Sequence, residues 1–318
     1  MKNAIIFISI ILFTVEIHAQ QNSSTIKEDE NYLPDLAENI GDIKLSLDTI
    51  VENYYVISGE GVAGNISLYT GADGIYLVDD QWSALLPRIK EMISSISDKP
   101  VKLVINTHYH IDHTNGNTAF RKAGIPVIAQ ANARLRMTQR QVIRGFGSVV
   151  QKPAPMEALP NLTFTDKIEI HDGNEIIELK NYPDAHTDGD VIVHFKRADI
   201  YCTGDVFVTF GIPVIDPDGG GDIYGLIEAI DFLISDSRKT SRIIPGHGPI
   251  SSREDLIAYR DLLESILVNV IKSYRQGKSM EQTIDYTKGQ IEENVEGIDK
   301  DLFITLVYEM VEKHEKQD

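Results

Sequence analysis

The chain of 318 residues contains a single cysteine, Cys202, in an apolar run that is expected in the core. An intramolecular disulfide is therefore excluded, so stability has to come from the apolar core and from any bound metal. After residue 19, no stretch approaches the about 18 consecutive apolar residues that suggest a membrane-spanning helix. Basic residues are also scarce: 30 Lys and Arg stand against 48 Asp and Glu, for a formal net charge of −18. Such an acidic surface repels phosphate backbones, so nucleic acid is not an expected partner.

The N-terminal segment 1–19 has the pattern of a secretory signal peptide. Lys2 supplies a positive start, the run 4–15 is almost wholly apolar, and the small residue Ala19 precedes Gln20. This run is too short for a permanent membrane span, and no cysteine follows the expected cleavage point to carry a lipid. A buried N-terminal helix is the alternative. The sequence therefore predicts a periplasmic or secreted protein with no membrane span after cleavage.

The rest of the chain divides into a polar, acidic arm at 20–48 and a folded domain at 49–318. In the domain, short β-rich runs separated by glycines alternate with segments of helical periodicity. This order predicts an α/β fold with two β-sheets flanked by helices. Strands are predicted at 50–58, 66–69, 75–79, 102–106, 127–129, 162–164, 168–170, 176–179, 191–195, 200–202 and 243–244, helices at 85–96, 118–122, 131–143, 223–233, 253–274 and 299–313, and a long loop at 144–160.

A cluster of three histidines and one aspartate, His108, His110, Asp112 and His113, lies within six residues of sequence. The cluster follows the strand predicted at 102–106, so a strand end would project these side chains into one crevice. Imidazole nitrogens and carboxylate oxygens are suitable ligands for a borderline cation such as zinc. Imidazoles packed so closely would repel one another if protonated, and a bound metal removes that repulsion. A solvated His-rich loop is the alternative.

Further metal ligands have to come from elsewhere in the chain, because a tetrahedral site needs four ligands and a two-metal site needs more. Three candidates follow predicted strands in loops rich in small residues, namely His186, Asp205 and His247. Glycines next to them allow the backbone to approach a ligand closely. Each of the three is a weak signal when taken singly, because loop histidines and turn aspartates are common.

The order His-x-His-x-Asp-His, a distant His, Gly-Asp and Gly-His resembles that of the metallo-β-lactamase superfamily. The resemblance is most specific at 107–117, and its spacing extends over 75–250. It implies an αββα sandwich of two mixed β-sheets flanked by helices, with two Zn²⁺ ions at one edge of the sheets. The resemblance also implies a ligand set: His108, His110 and His186 for the first zinc, Asp112, His113 and His247 for the second, and Asp205 bridging both.

The resemblance further implies metal-assisted hydrolysis, in which a zinc-held hydroxide attacks a carbonyl carbon. Asp112 would be the catalytic residue that orients the nucleophile and shuttles a proton. Asp79 matches an early aspartate of the family that orients a ligand, and an ordinary turn residue is the alternative. The expected substrate is a small molecule with an amide, ester, lactone or thioester group, and β-lactams are among the candidates.

The branch of the superfamily stays open at the level of sequence. The commonest β-lactamases carry the sequence Gly-Gly-Cys, followed shortly by a Lys, at the position of Gly204-Asp205. This chain has no Cys there and no Lys at 206–209, so its ligand set resembles that of glyoxalase II-like hydrolases more closely. A mononuclear iron dioxygenase acting on persulfides and a non-catalytic zinc-binding accessory protein are two further candidate functions. Loops 59–64, 134–160 and 207–222 are expected to shape the pocket. Within the last loop, Phe207, Phe210 and Ile212 could form an apolar wall, and Asp216 and Asp218 an acidic rim, with ordinary loop packing as the alternative.

Overall fold

Two mixed β-sheets with helices on their outer faces make up residues 40–316, the part of the chain that this computed structural model describes. The strands are β1 Leu45–Val51, β2 Tyr54–Gly59, β3 Ile66–Thr70, β4 Ile75–Val78, β5 Val101–Ile105, β6 Val127–Gln130, β7 Gln141–Ile143, β8 Val149–Gln151, β9 Leu162–Phe164, β10 Lys167–Asp172, β11 Glu175–Tyr182, β12 Asp190–Phe195, β13 Ile200–Cys202 and β14 Arg242–Ile244. The helices are α1 Leu86–Ile96, α2 Ile111–Thr114, α3 Asn117–Lys122, α4 Ala131–Met137, α5 Ile223–Asp236, α6 Arg253–Arg275, α7 Met280–Lys288 and α8 Lys300–Glu315.

The two sheets have a simple strand order. The first sheet runs β1-β2-β3-β4-β5-β6-β9, and it is antiparallel up to β4 and parallel from there on. The second sheet runs β10-β11-β12-β13-β14, in which only the last pair is parallel. Strands β7 and β8 form a separate hairpin.

The facing surfaces of the sheets enclose an apolar core to which both contribute. Tyr54 stacks on Tyr69 with ring centroids 4.7 Å apart, and Phe195 of the second sheet meets Tyr54 edge-on at 5.4 Å. Aromatic pairs of this kind add about 0.5–1.5 kcal/mol beyond the area they bury. Cys202 lies in the same core as expected, and burial raises the pKa of its thiol to about 12.

Helices cover the outer face of each sheet. Leu86, Ile89 and Ile93 form one buried face of α1, which packs with α3 against the first sheet. Helices α5, α6 and α8 cover the second sheet. The spacing of apolar residues thus produces the αββα sandwich, and the predicted fold class is confirmed.

Strand direction brings several loops to one edge of the sandwich. The parallel strands β4 and β5 end there, just before Asp79 and His108, and β13 and β14 end before Asp205 and His247. Strand β12 is antiparallel to β13, so it begins at this edge, directly after the loop that carries His186.

Several elements differ from the sequence-based prediction. The helix predicted over 131–143 is wrong beyond Met137, because its last three residues form β7, and the loop predicted at 144–160 contains β8, which pairs with β7. Gly147, with a φ of 76°, adopts the left-handed conformation in the turn of this hairpin. The sequence-based prediction took the glycines and prolines of this segment as signs of an irregular loop. Residues 50–58 form two strands with a turn at Asn53, and α7 was not predicted.

The N-terminal predictions fall mainly outside the described part of the chain. The signal peptide at 1–19 and most of the arm at 20–48 lie there, and they stay predictions. Strand β1 runs from residue 45 through the predicted boundary at 48, so the last residues of the arm belong to the first sheet. Among residues 40–316, no helix is both long and apolar enough to cross a bilayer.

Candidate metal centre

All of the predicted metal-binding residues lie in one cluster at the edge where the strands end. The Nδ1 atom of His110 is 2.9 Å from Nε2 of His186, and Nε2 of His113 is 3.2 Å from Nε2 of His247. The ring of His108 lies between the two pairs, 4.8 Å from His110 and 4.3 Å from His113 by ring centroids. The edge of the sandwich therefore brings together side chains that are far apart in sequence, and His108 and His247 are separated by 139 residues.

The cluster divides into two groups of potential ligands. His108, His110 and His186 form the first group, and Asp112, His113 and His247 form the second, with the ligand atoms of each group within 4.8 Å of one another. A third set, His108, His113 and Asp205, lies equally close together and shares one histidine with each group, and the division into two groups is the one that the family resemblance implies. Metal ligation by these residues stays a prediction.

Asp205 lies between the two groups. Its Oδ1 atom is 3.2 Å from Nε2 of His113, and its Oδ2 atom is 3.6 Å from His247 and 3.9 Å from His186. A carboxylate that reaches donors of both groups can bridge two cations. A Cβ added at Gly246 would collide with Oδ1 of Asp205, and one added at Gly64 would lie 2.7 Å from Cε1 of His113. The flanking glycines therefore make room for the cluster.

The donor set fits a divalent cation. Nε2 of His108 is buried and has no hydrogen-bond partner among residues 40–316. Buried polar atoms normally have partners, so such an atom aimed into a cluster of nitrogens and carboxylate oxygens is consistent with a metal ligand. Five imidazoles and two carboxylates are also the borderline ligands that zinc accepts.

Burial and charge separate the protonation of the two groups. Burial lowers the pKa of His108 well below its usual value and that of His186 to about 4, so these rings are neutral. Burial alone would also lower the pKa of His113, but Asp112, Asp205 and Asp79 raise it well above its usual value. The neighbouring imidazoles in turn hold the pKa of Asp112 low despite its burial.

Asp79 orients His113 from behind, as the resemblance implies. Its carboxylate accepts hydrogen bonds from Nδ1 of His113 at 2.9 Å, and from the backbone N–H and hydroxyl of Thr107, both at 2.7 Å. Asp79 has a φ of 64°, so it also forms the turn after β4. Asp79 thus both forms a turn and contacts His113, and its orienting a metal ligand stays a prediction.

The loop at 207–222 was only partly understood from the sequence. Phe207 and Ile212 are buried in the apolar core, so the wall predicted there is wrong for these two residues. Phe210 is half-buried, with its ring 6.1 Å from that of His247. Asp216 is wholly buried rather than part of an acidic rim, and it contacts His110. The glycine-rich run after Asp216 was the available signal, because glycines mark close backbone approach.

Comparison with known proteins agrees with this geometry. The family model described as metallo-beta-lactamase superfamily matches residues 59–247, which includes the whole cluster. A probable metallo-hydrolase of Methanocaldococcus jannaschii is 26% identical over 202 residues, which cover 62% of this chain and 93% of that protein. A protein of Bacillus sp. (strain 170) named metallo-beta-lactamase type 2 is 22% identical over 227 residues, 69% of this chain and 82% of its own.

Solved structures show the same fold. A metallo-beta-lactamase from Pontibacter korlensis superposes with a TM-score of 0.56 at 20% identity, covering 70% of this chain and 99% of that one. A sec-alkylsulfatase from Pseudomonas sp. superposes with a TM-score of 0.64 at 15% identity, covering 83% of this chain and 50% of the sulfatase. At these identities the likeness concerns the fold alone.

Proposed function

The chain belongs to the metallo-β-lactamase superfamily and is a metal-dependent hydrolase, and from that premise we propose that it binds two Zn²⁺ ions and hydrolyses a carbonyl compound. The substrate would be a small molecule with an amide, ester, lactone or thioester group. We also propose that residues 1–19 direct its export to the periplasm or medium, and that the domain predicted at 49–318, together with the rest of β1, is the catalytic domain.

The observation that carries the proposal is the pair of ligand groups joined by Asp205. An iron dioxygenase with one metal would need only a His-His-Asp subset of this cluster. The second group, Asp112, His113 and His247, lies beside the first, with both of its histidines buried. Its presence favours two metals over one, and nitrogen and oxygen donors favour zinc.

Zinc held by these residues would polarise the carbonyl of the substrate and lower the pKa of a water molecule. Asp112 is suited to orient that water, because its side chain is 21% exposed at the rim of an otherwise buried cluster. Its Oδ2 atom is 3.1 Å from Nε2 of His247 and 3.4 Å from Nε2 of His113. The low pKa keeps Asp112 ionised, so it can accept a proton and return it to the leaving group.

Two features bear on the substrate. No lysine follows Asp205 in 206–209, so a carboxylate-gripping lysine of the common β-lactamases has no counterpart there. The name of one relative, metallo-beta-lactamase type 2, keeps β-lactams among the candidates. Asp205 as a bridge supports a glyoxalase II-like site, for which thioesters and lactones are the first substrates to try.

A hydrolysis screen with zinc-loaded protein tests the proposal. A chromogenic cephalosporin, an acyl-glutathione thioester and a lactone are each offered to the wild type and to an Asp112→Asn control. Turnover of one class by the wild type, lost in the control, is the expected result. Zinc binding with no turnover of any class would favour the accessory protein, and one iron per chain would favour the dioxygenase.

A further inference from the structure

Asp216 is a buried carboxylate in direct contact with a candidate metal ligand. It accepts a hydrogen bond from Nε2 of His110 at 3.1 Å, and the hydroxyl of Tyr109 donates to the same oxygen. Its other oxygen accepts the backbone N–H of Gly219 at 3.0 Å. Both oxygens of the carboxylate are thus engaged by donors, so it has no reason to be protonated.

This contact decides which nitrogen of His110 faces the cluster. A carboxylate only accepts hydrogen bonds, so Nε2 of His110 has to carry the proton. The neutral ring then presents the lone pair of Nδ1, which is the atom 2.9 Å from Nε2 of His186. The orientation needed for a metal ligand is therefore set from behind by Asp216.

The same short segment orients a second ligand of the first group. Nδ1 of His186 donates to the backbone carbonyl of Val214 at 2.9 Å, which leaves Nε2 to face the cluster. Residues 214–216 thus contact two of the three members of this group. In the second group, Asp79 accepts a hydrogen bond from Nδ1 of His113 and orients that ring in the same way. Each group has a carboxylate of its own.

The segment is held in place from the C-terminal helices, beyond the residues that match the family model. The guanidinium of Arg144 forms ion pairs with Asp218, at 2.8 Å, and with Glu309 of α8, at 2.7 Å. The backbone N–H of Ile212 donates to the backbone carbonyl of Glu296, in the loop between α7 and α8, at 2.9 Å. A Cβ at Gly219 would collide with Asp216 and lie 2.7 Å from the hydroxyl of Tyr109. The fold therefore leaves Asp216 one position.

From these contacts we propose that Asp216, held in place by the hydrogen bond from Tyr109, is a positioning residue. It fixes the orientation of His110 and so sets the affinity of the first ligand group for its metal ion. The inference rests on the proposed two-zinc site, but it concerns only one of the two ions. It assigns Asp216 no contact with substrate.

The test is Asp216→Asn, which keeps the size of the side chain. An amide has only one accepting oxygen, so either orientation places a donor against His110 or against the N–H of Gly219. We expect one zinc to bind about 10- to 100-fold more weakly, with the other unchanged, because outer partners of metal-ligating histidines have effects of that size. Zinc affinities are measured by competition with a chromophoric chelator, and the absorption spectrum of the cobalt-substituted protein is the second readout.

Asp231→Asn is the matched control, because Asp231 is exposed on α5 and pairs with Arg260 of α6 rather than with a candidate ligand or with the segment 214–216. It should bind both ions as the wild type does. If metal-free Asp216→Asn does not fold, Tyr109→Phe decides, since it removes one donor to Asp216 and should weaken the same ion by a few-fold and shift the cobalt spectrum.

The outcomes separate the two proposals. A wild type that binds fewer than two zinc ions contradicts the proposed function. A wild type with two ions and a folded Asp216→Asn protein with the same two affinities and the same cobalt spectrum overturns the role of Asp216 alone. Where only Tyr109→Phe folds, wild-type affinities and spectrum in that variant overturn it.

Discussion

Oδ1 of Asp205 lies 3.2 Å from Nε2 of His113, while its Oδ2 atom lies 3.6 Å from Nε2 of His247 and 3.9 Å from Nε2 of His186 in the other group. Among the described residues, Asp205 is thus a carboxylate of the candidate ligand set that pairs with histidines of both groups. Burial would raise the pKa of Asp205, but His247, His113 and His108 hold it well below its usual value. Asp205 therefore supplies negative charge between two positions suited to cations.

Replacing Asp205 tests the bridge. Asp205→Ala should lower the zinc content from two ions per chain towards one, because both positions lose a shared ligand. Metal analysis after dialysis against a weak chelator measures the change. Two tightly held ions in Asp205→Ala would show that Asp205 is not the bridge.

Replacing Asp112 tests the catalytic role. Asp112→Asn should keep the fold and lower kcat by about 100- to 10,000-fold, the range that general acid–base catalysis contributes. The assay is made at saturating zinc, so that a weaker second ion does not account for the loss, and circular dichroism checks the fold. Near-normal turnover would be incompatible with the mechanism.

Lowering the pH should release the metal ion from the second group before the ion in the first. In the metal-free protein the pKa values of His113 and His247 are raised by Asp112 and Asp205, whereas burial holds that of His186 at about 4. Metal has to displace protons from the second group but not from His186. Metal binding to the second group therefore weakens more than binding to the first as the pH falls.

Two variants that each spoil one group measure this difference. His186→Gln keeps the second group and His247→Gln keeps the first. Dialysis between about pH 8 and about pH 5 should remove zinc from His186→Gln at the higher pH. Loss at the same pH from both, or earlier loss from His247→Gln, would contradict the assignment of protons.

Gly246 should tolerate no side chain. A Cβ there would collide with Asp205, so Gly246→Ala should displace the bridge, lower the zinc content and destabilise the protein by about 1–3 kcal/mol, as overpacking does. Gly41→Ala is the control, since its Cβ would meet nothing within 4 Å. Metal analysis and thermal unfolding compare the two. Equal zinc content and stability would show that the close approach is not needed.

The sequence predicted most of the fold and the residues His108 to His113 from local patterns, whereas His186, Asp205 and His247 were weak signals until the family resemblance linked them to the cluster. Apolar runs gave most strands and helices, and His108 to His113 lie next to one another in the chain. The hairpin β7–β8 was not predicted because Gly145 and Gly147 in its turn, and the prolines that follow it, resemble those of an irregular loop. Asp216 escaped because its contact with His110 spans 106 residues, and a burial of that kind leaves no periodic trace in a loop.

The number of zinc ions bound per chain of the wild-type protein is the most direct test of the central claim. After removal of metal and reconstitution with excess zinc, followed by gel filtration, elemental analysis should give two zinc ions per chain. A single ion per chain, or iron in preference to zinc in protein purified without added metal, would contradict a two-zinc hydrolase.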